Sequence, residues 1–237
     1  MEKSTQKQYK YYDLVMVAFV TVLVCSNFIG AAKQALVTLP IFGQVTFGAG
    51  VLFFPISYIF GDILTEVYGY ARDRRVVWAG FGALVFASLM AWVVVHLPAS
   101  DSAFMQSYQG HLEGVFGNAW RIAAGSMIAF WFGSFANSFV LAKLKLITKG
   151  RFLWVRTIGS TLVGELVDSS LFYVIAFYGI WATGDVIKVA MVQYLFKTGW
   201  EIIMTPVTYR IVGFLKRAEQ EDYYDTNTDF TPFSIKT

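Results

Sequence analysis

Residues 54–69 read FPISYIFGDILTEVYG, an apolar run interrupted by two acids, Asp62 and Glu66. A stretch this apolar is long enough to contribute to a bilayer crossing, yet each ionised group at the centre of a lone spanning helix costs roughly 2.5–3.5 kcal/mol. The same conflict recurs at Glu165 and Asp168, and again at Lys197 and Glu201. Five acids and one base held in apolar surroundings need a function, and the default is a polar cavity that handles a solute or protons.

Composition agrees. The chain has 237 residues, 56% of them hydrophobic and 18% aromatic, with a mean hydropathy of +0.53. One soluble core does not hide that much apolar surface. The reading is an all-α integral membrane protein, because lipid leaves helices or a closed barrel as the only ways to satisfy a crossing backbone. Windows of about 19 residues predict six transmembrane helices near residues 13–33, 49–69, 76–97, 118–142, 157–181 and 186–212.

The basic residues orient these spans. Of 19 Lys and Arg, all but Lys33, Arg121, Lys188 and Lys197 fall in the two terminal segments or in the connections around Arg72 to Arg75 and Lys143 to Arg156. With both termini on the cytoplasmic side this is the positive-inside pattern. It accounts for the net charge of +3 without nucleic acid as a partner. The domain reading is a cytoplasmic amino terminus over residues 1–12, a transmembrane domain over 13–215 and a disordered acidic cytoplasmic tail over 216–237. The apolar run from Leu14 is not expected to be a cleaved signal, since Gly30, Ala31 and Ala32 only superficially resemble a cleavage site. A single Cys25 excludes an intrachain disulfide.

Between the first two spans, residues 34–48 alternate apolar and small residues around Pro40 and Gly43. A short hairpin or re-entrant loop fits that pattern, with a plain interfacial loop as the equal alternative. Residues 98–117 form the long outer connection. His96 and His111 lie at or beyond span edges, so no metal site is expected.

Within each helix the charged pairs are spaced three or four residues apart and project from one face. Asp62, Glu66, Glu165, Asp168, Lys197 and Glu201, with Asn137 as a neutral partner, form the candidate substrate-binding set. Lys197 has two candidate partners, Glu201 on its own helix or an acid on another, and its expected role is to neutralise the layer. Five acids against one base leave four uncompensated negative charges, which calls for protonation, water or a donor-rich solute. Paired carboxylate oxygens suit parallel N–H groups, as in an amidine, a guanidine or the Watson–Crick edge of a guanine-like base. Phe54, Tyr58, Trp131, Tyr173 and Trp200 offer rings for stacking, although packing is the commoner use of such rings. Asn27 in the first span adds interhelical hydrogen bonding, and Pro55 and Pro206 suggest kinks.

A faint repeat, Gly61-Asp62 in the second span and Gly164-Glu165 in the fifth, suggests two inverted three-helix halves. Enzymatic motifs are missing: Asp62 lacks the Gly-x-Gly that precedes an intramembrane protease aspartate, and there is no Gly-x-Ser-Gly, His-Glu-x-x-His or phosphate loop.

The second span, with Arg74-Arg75 after it, resembles the signature of the queuosine precursor transporter family, also called the vitamin uptake transporter family. So do Gly164-Glu165-Leu166-Val167-Asp168-Ser169 and the stretch from Lys197 through Glu201 to Thr205-Pro206. The resemblance implies a bacterial or archaeal inner-membrane importer of 7-deazaguanine bases, namely 7-cyano-7-deazaguanine, 7-aminomethyl-7-deazaguanine or queuine. It further implies a carrier without cofactor; a homodimer is allowed by the sequence, not required. The alternative is a substrate-capturing subunit of an energy-coupling-factor importer, for which Ala31 and Ala35 offer a small docking face. A proton channel or assembly scaffold is a third reading.

Overall fold

In the computed structural model the description covers residues 7–29, 34–39, 43–117, 120–180 and 182–234. Expectations resting on Lys3, Gly30 to Lys33, Pro40 and Lys236 fall outside them.

The element order is α1 (Tyr12–Phe28), β1 (Gln34–Leu39), β2 (Gly43–Gly48), a 3-10 turn (Ala49–Leu52), α2 (Phe54–Tyr68), α3 (Tyr70–His96), α4 (Ala103–Leu112), a π turn (Glu113–Gly117), α5 (Trp120–Ile147), α6 (Leu153–Phe177) and α7 (Thr183–Glu219). A helix lies at each of the six expected places. Among the described residues three helical stretches, Tyr70–His96, Ala103–Ile147 and Leu153–Phe177, are long and apolar enough to cross a membrane, and Tyr12–Phe28 is a shorter apolar helix. The helix α2 has 15 residues, about 22 Å, which is short of a hydrocarbon core of about 30 Å. The helix α7 has 37 residues, about 55 Å, and overshoots it.

Large apolar side chains point outward around the bundle, among them Leu14, Phe86, Trp92, Leu166, Val174 and Ile203. Carboxylates and cations point inward. That inversion of the water-soluble pattern is what lipid selects. The centre is α2, buried from Pro55 through Tyr68 apart from Ile56 and Phe60, with α1, α3, α5 and α7 packed around it. Its Ile59, Ile63, Leu64 and Val67 join Phe19, Leu23, Val76, Leu84 and Phe130 in the core.

Pro55 occupies the first turn of α2, where its missing N–H breaks no hydrogen bond. The kink expected there is therefore a helix start. Pro206 does lie inside α7, and the Thr205 hydroxyl donates to the Glu201 carbonyl at 2.8 Å just before it. At Gly69 the chain turns from α2 into α3 with φ +89°, and a Cβ there would lie 2.2 Å from Cδ1 of Tyr223. Only glycine serves at this position.

The hairpin is present, with Ala35 opposite Phe47 and Val37 opposite Val45 in an antiparallel ladder. The outer connection is more ordered than a loop, since α4 starts at a Ser102 cap whose hydroxyl accepts from the Met105 N–H. The tail also departs from expectation. Helix α7 runs on to Glu219, and residues 220–234 then pack across the α2–α3 turn and α5. The Asp225 carboxylate accepts from the Tyr70 N–H, both oxygens at 3.1 Å. Arg74 donates to the Asp229 and Thr231 carbonyls at 2.7 Å each, and Trp78 donates to the Pro232 carbonyl at 2.8 Å. Phe230 lies against Tyr70 and under the Lys143 ammonium, and Phe233 against Trp131. The segment is a strap, held by side-chain to backbone bonds rather than by an apolar period.

Candidate functional site

The sequence-predicted residues separate into two layers along α2. The first is built where α5 and α6 cross. A Cβ at Gly133 would lie 2.5 Å from the Tyr58 hydroxyl and 2.8 Å from the Asp168 Cβ, and one at Gly164 would lie 2.7 Å from the Asn137 Cβ. Two glycines thus let the backbones approach and bring Tyr58, Asn137 and Asp168 together. Gly164→Ala is expected to force α5 and α6 apart, costing about 1–3 kcal/mol; the melting temperature of purified protein in detergent measures it.

Around that crossing stand Asp62 on α2, Asn137 on α5, Glu165 and Asp168 on α6, and Glu201 on α7, each at most 3% exposed. The Asn137 amide donates to Asp62 Oδ1 at 2.7 Å. Lys197 Nζ lies 2.5 Å from Asp168 Oδ2 and 2.8 Å from Glu165 Oε2, and 4.4 Å above the Phe54 ring. Of its two expected partners, the acids on the neighbouring helix are the ones it reaches, which agrees with the weaker i,i+4 order of Lys before Glu.

Glu66 belongs elsewhere. Its carboxylate is fully buried and met by Arg156 Nη2 at 2.6 Å, Lys216 Nζ at 2.6 Å and Lys145 Nζ at 3.5 Å. Lys145 also donates to the Glu66 carbonyl at 2.6 Å and the Tyr223 carbonyl at 2.8 Å, and Asp222 of the strap pairs with Lys145 at 2.6 Å and Lys216 at 2.8 Å. This second layer ties α2, α5, α6, α7 and the strap together at one end of the bundle. Three cations already neutralise this carboxylate, which sets Glu66 apart from the acids of the first layer. The balance in the first layer becomes four acids (Asp62, Glu165, Asp168, Glu201) against Lys197, three uncompensated charges rather than four.

Several polar atoms of the first layer lack partners: Asp62 Oδ2, Asn137 Oδ1, Glu165 Oε1, both Glu201 oxygens, the Tyr58 hydroxyl and Trp200 Nε1. Unmet polar atoms at this burial cost about 1–3 kcal/mol each. Two hollows among the described residues lie away from this layer. One, about 430 Å³, is lined by Val24, Met90 and Phe116, and the other, about 450 Å³, by Phe132, Phe139 and Phe233. The first is lined by apolar side chains alone, whereas the lining of the second also includes Tyr70 and Trp131.

Sequence reasoning missed Lys145, Arg156 and Lys216, which it assigned to the basic ends, and Asp73, which is fully buried and accepts from the Ser138 hydroxyl at 2.5 Å. Outside the helices, burial works to raise the Asp222 carboxyl, but hydrogen bonds and charge from Lys145 and Lys216 hold it below the usual carboxylate range. Burial and its hydrogen bond to Glu221 push the Tyr9 hydroxyl up to about 12. Among the described residues no cluster of His, Cys, Asp and Glu has a metal-binding arrangement.

An apolar helical bundle with buried carboxylates at its centre has the architecture of a membrane transporter. The chain belongs to the vitamin uptake transporter family, whose description matches residues 48–211. It is 32% identical over 197 residues to a probable queuosine precursor transporter of Bacillus subtilis (strain 168), covering 82% of this chain and 81% of that one. It is 27% identical over 171 residues to the queuosine precursor transporter of Escherichia coli (strain K12), covering 69% and 71%. A probable queuosine precursor transporter of Haemophilus influenzae is 26% identical over 173 residues, covering 69% and 67%. No solved structure matches the chain.

Proposed function

We propose that the protein imports queuosine precursors, 7-deazaguanine bases such as the cyano or aminomethyl forms or queuine, across the bacterial or archaeal inner membrane. The observation that carries this is the set of unpartnered acceptors on Asp62, Glu165 and Glu201. A guanine-like edge presents parallel N–H donors, and carboxylates accept such pairs with charge-assisted strength. Asp168, Tyr58, Asn137 and the Trp200 indole complete the binding layer, and Lys197 limits its negative charge. The names of the relatives support the same class of solute.

In this reading α1, α2, α3, α5, α6 and α7 all cross, with α2 completed by the hairpin and 3-10 turn before it, and the two three-helix halves alternate access around the layer. Both termini and the Glu66 layer then face the cytoplasm. Reporter fusions are expected to place the carboxy terminus inside and the loop near Asp101 outside; an external carboxy terminus would remove the six-crossing arrangement.

The deciding experiment is uptake of labelled queuine and its two precursors by cells that lack their own importer and synthesis, with this chain as the only addition. Uptake without a partner separates a self-sufficient carrier from a substrate-capturing subunit. Asp168→Asn turns one acceptor into a donor and is expected to lower apparent affinity ten- to a hundred-fold, about 1.5–3 kcal/mol. Unchanged uptake at low substrate, at equal protein in the membrane, would return Asp168 to a structural role.

A further inference from the structure

Asp62 and Glu201 are the two acids of the first layer with no cation. Glu66 is met by Arg156, Lys145 and Lys216, and Glu165 and Asp168 share Lys197. Asp62, fully buried, accepts a single hydrogen bond from Asn137, at Oδ1; Glu201, 1% exposed, accepts none at either carboxylate oxygen. Helices α2 and α7, which carry the two acids, pack directly on each other.

The other charged groups around the pair offer no relief. Helix α3 supplies Asp73, a further acid, already bonded to Ser138. Helix α6 supplies Glu165 and Asp168, whose ammonium partner Lys197 comes from α7 itself. Helix α2 adds Glu66 and the Tyr58 hydroxyl, and α1 carries only Asp13, in its first turn. Helix α5 supplies Asn137, a neutral amide, while its Lys145 is spent on the Glu66 layer. Among the described residues no Lys or Arg makes an ion pair with Asp62 or Glu201.

Two neighbouring carboxylates removed from water do not both stay ionised without a cation, because their repulsion adds to the desolvation of each. Asn137 makes an independent demand of the same kind. Its amide nitrogen is bound to Asp62, and its buried Oδ1 is an acceptor without a donor, as is Asp62 Oδ2. One proton on the pair removes a charge and supplies a donor for one of the unmet acceptors.

We propose that Asp62 and Glu201 hold one proton between them, and that this proton crosses the membrane together with the solute. This rests on the transport reading above and adds the coupling ion to it. The proton binds the pair from the side that admits the solute and leaves on the other side when the layer opens there. One proton and one solute move in the same direction, and no bond of the solute changes.

The test uses the full chain in liposomes with a pH-sensitive dye trapped inside, the membrane voltage clamped at zero, and labelled queuine, 7-cyano- and 7-aminomethyl-7-deazaguanine supplied outside. With the outside one pH unit more acid, accumulation of a transported base is expected to reach about tenfold, since one unit is a tenfold ratio of proton activity. At symmetric pH, entry of the base should acidify the lumen. Entry of label with no accumulation and no acidification overturns the coupling and leaves the transport reading standing. No entry of any base removes both. Asp62→Asn and Glu201→Gln are each expected to abolish the gradient-driven accumulation, and wild-type accumulation by either variant overturns the assignment to this pair. Infrared spectroscopy of the purified protein at neutral pH reads the site even in a variant that does not transport. A buried protonated-carboxyl band is expected in the wild type and is expected to disappear in Glu201→Gln; its absence from the wild type, or its persistence in both variants, overturns the shared proton.

Discussion

Glu66→Ala is expected to destabilise the bundle by about 3–5 kcal/mol, the cost of breaking a buried ion pair from one side. The carboxylate is fully buried and has cations from three different helices within 4 Å, Arg156 on α6, Lys145 on α5 and Lys216 on α7. Remove it and only Asp222, itself half exposed, faces Lys145 and Lys216, while Arg156 keeps bonds to the Arg151 carbonyl and the Thr148 hydroxyl but no acid. Arg156 and Lys145 are each about 1% exposed, so the stranded charges stay out of water. The measurement is thermal unfolding in detergent, paired with the yield of protein in the membrane. A second change, Arg156→Met, should recover part of the loss, because it removes one stranded charge and replaces it with apolar volume. A Glu66→Ala protein as stable as the parent would mean that Asp222 and water neutralise the cluster unaided.

How far the sequence foretold this differs between helices and charges. The helices were legible because an apolar run is a local signal: α1, α3, α5 and α6 fall within a few residues of the hydropathy windows. The second window ran from residue 49, whereas α2 begins at Phe54, because apolar residues of the 3-10 turn look the same to a hydropathy average. The alternation at residues 34–48 correctly signalled a hairpin. The strap was illegible for the opposite reason. Its docking depends on partners more than sixty residues away, Asp222 with Lys145 and Asp225 with the Tyr70 N–H, and composition reports only that the segment is acidic. The acids of the first layer were found because a charge in an apolar run is conspicuous. The cations of the Glu66 layer were not, since Lys145, Arg156 and Lys216 sit near helix ends, where basic residues ordinarily meet water or headgroups. Only the packing shows that these three turn inward to Glu66.

The same distinction fixes the role of Lys197 and yields the second large effect. Lys197 is the only basic group that pairs with acids of the first layer among the described residues, and its ammonium lies between Asp168 and Glu165 with a side chain 11% exposed. Lys197→Met keeps the length of the stem and removes the charge, leaving those two acids in the same position as Asp62 and Glu201. The expected loss is about 3–5 kcal/mol, read as a fall in melting temperature, with weaker uptake because an acid that takes up a proton no longer accepts from the solute. A double-mutant cycle locates the partner. Lys197→Met combined with Asp168→Asn should lose less than the sum of the two single losses, with a coupling of about 0.5–3 kcal/mol, since the second change removes the charge that the first left stranded. Lys197→Met combined with Glu201→Gln should come closer to additivity, because no ion pair joins those two side chains even though they lie one turn apart on α7. If instead the Glu201 cycle shows the larger coupling, the ammonium spends its time on its own helix, and Glu165 and Asp168 must share a proton to remain buried together.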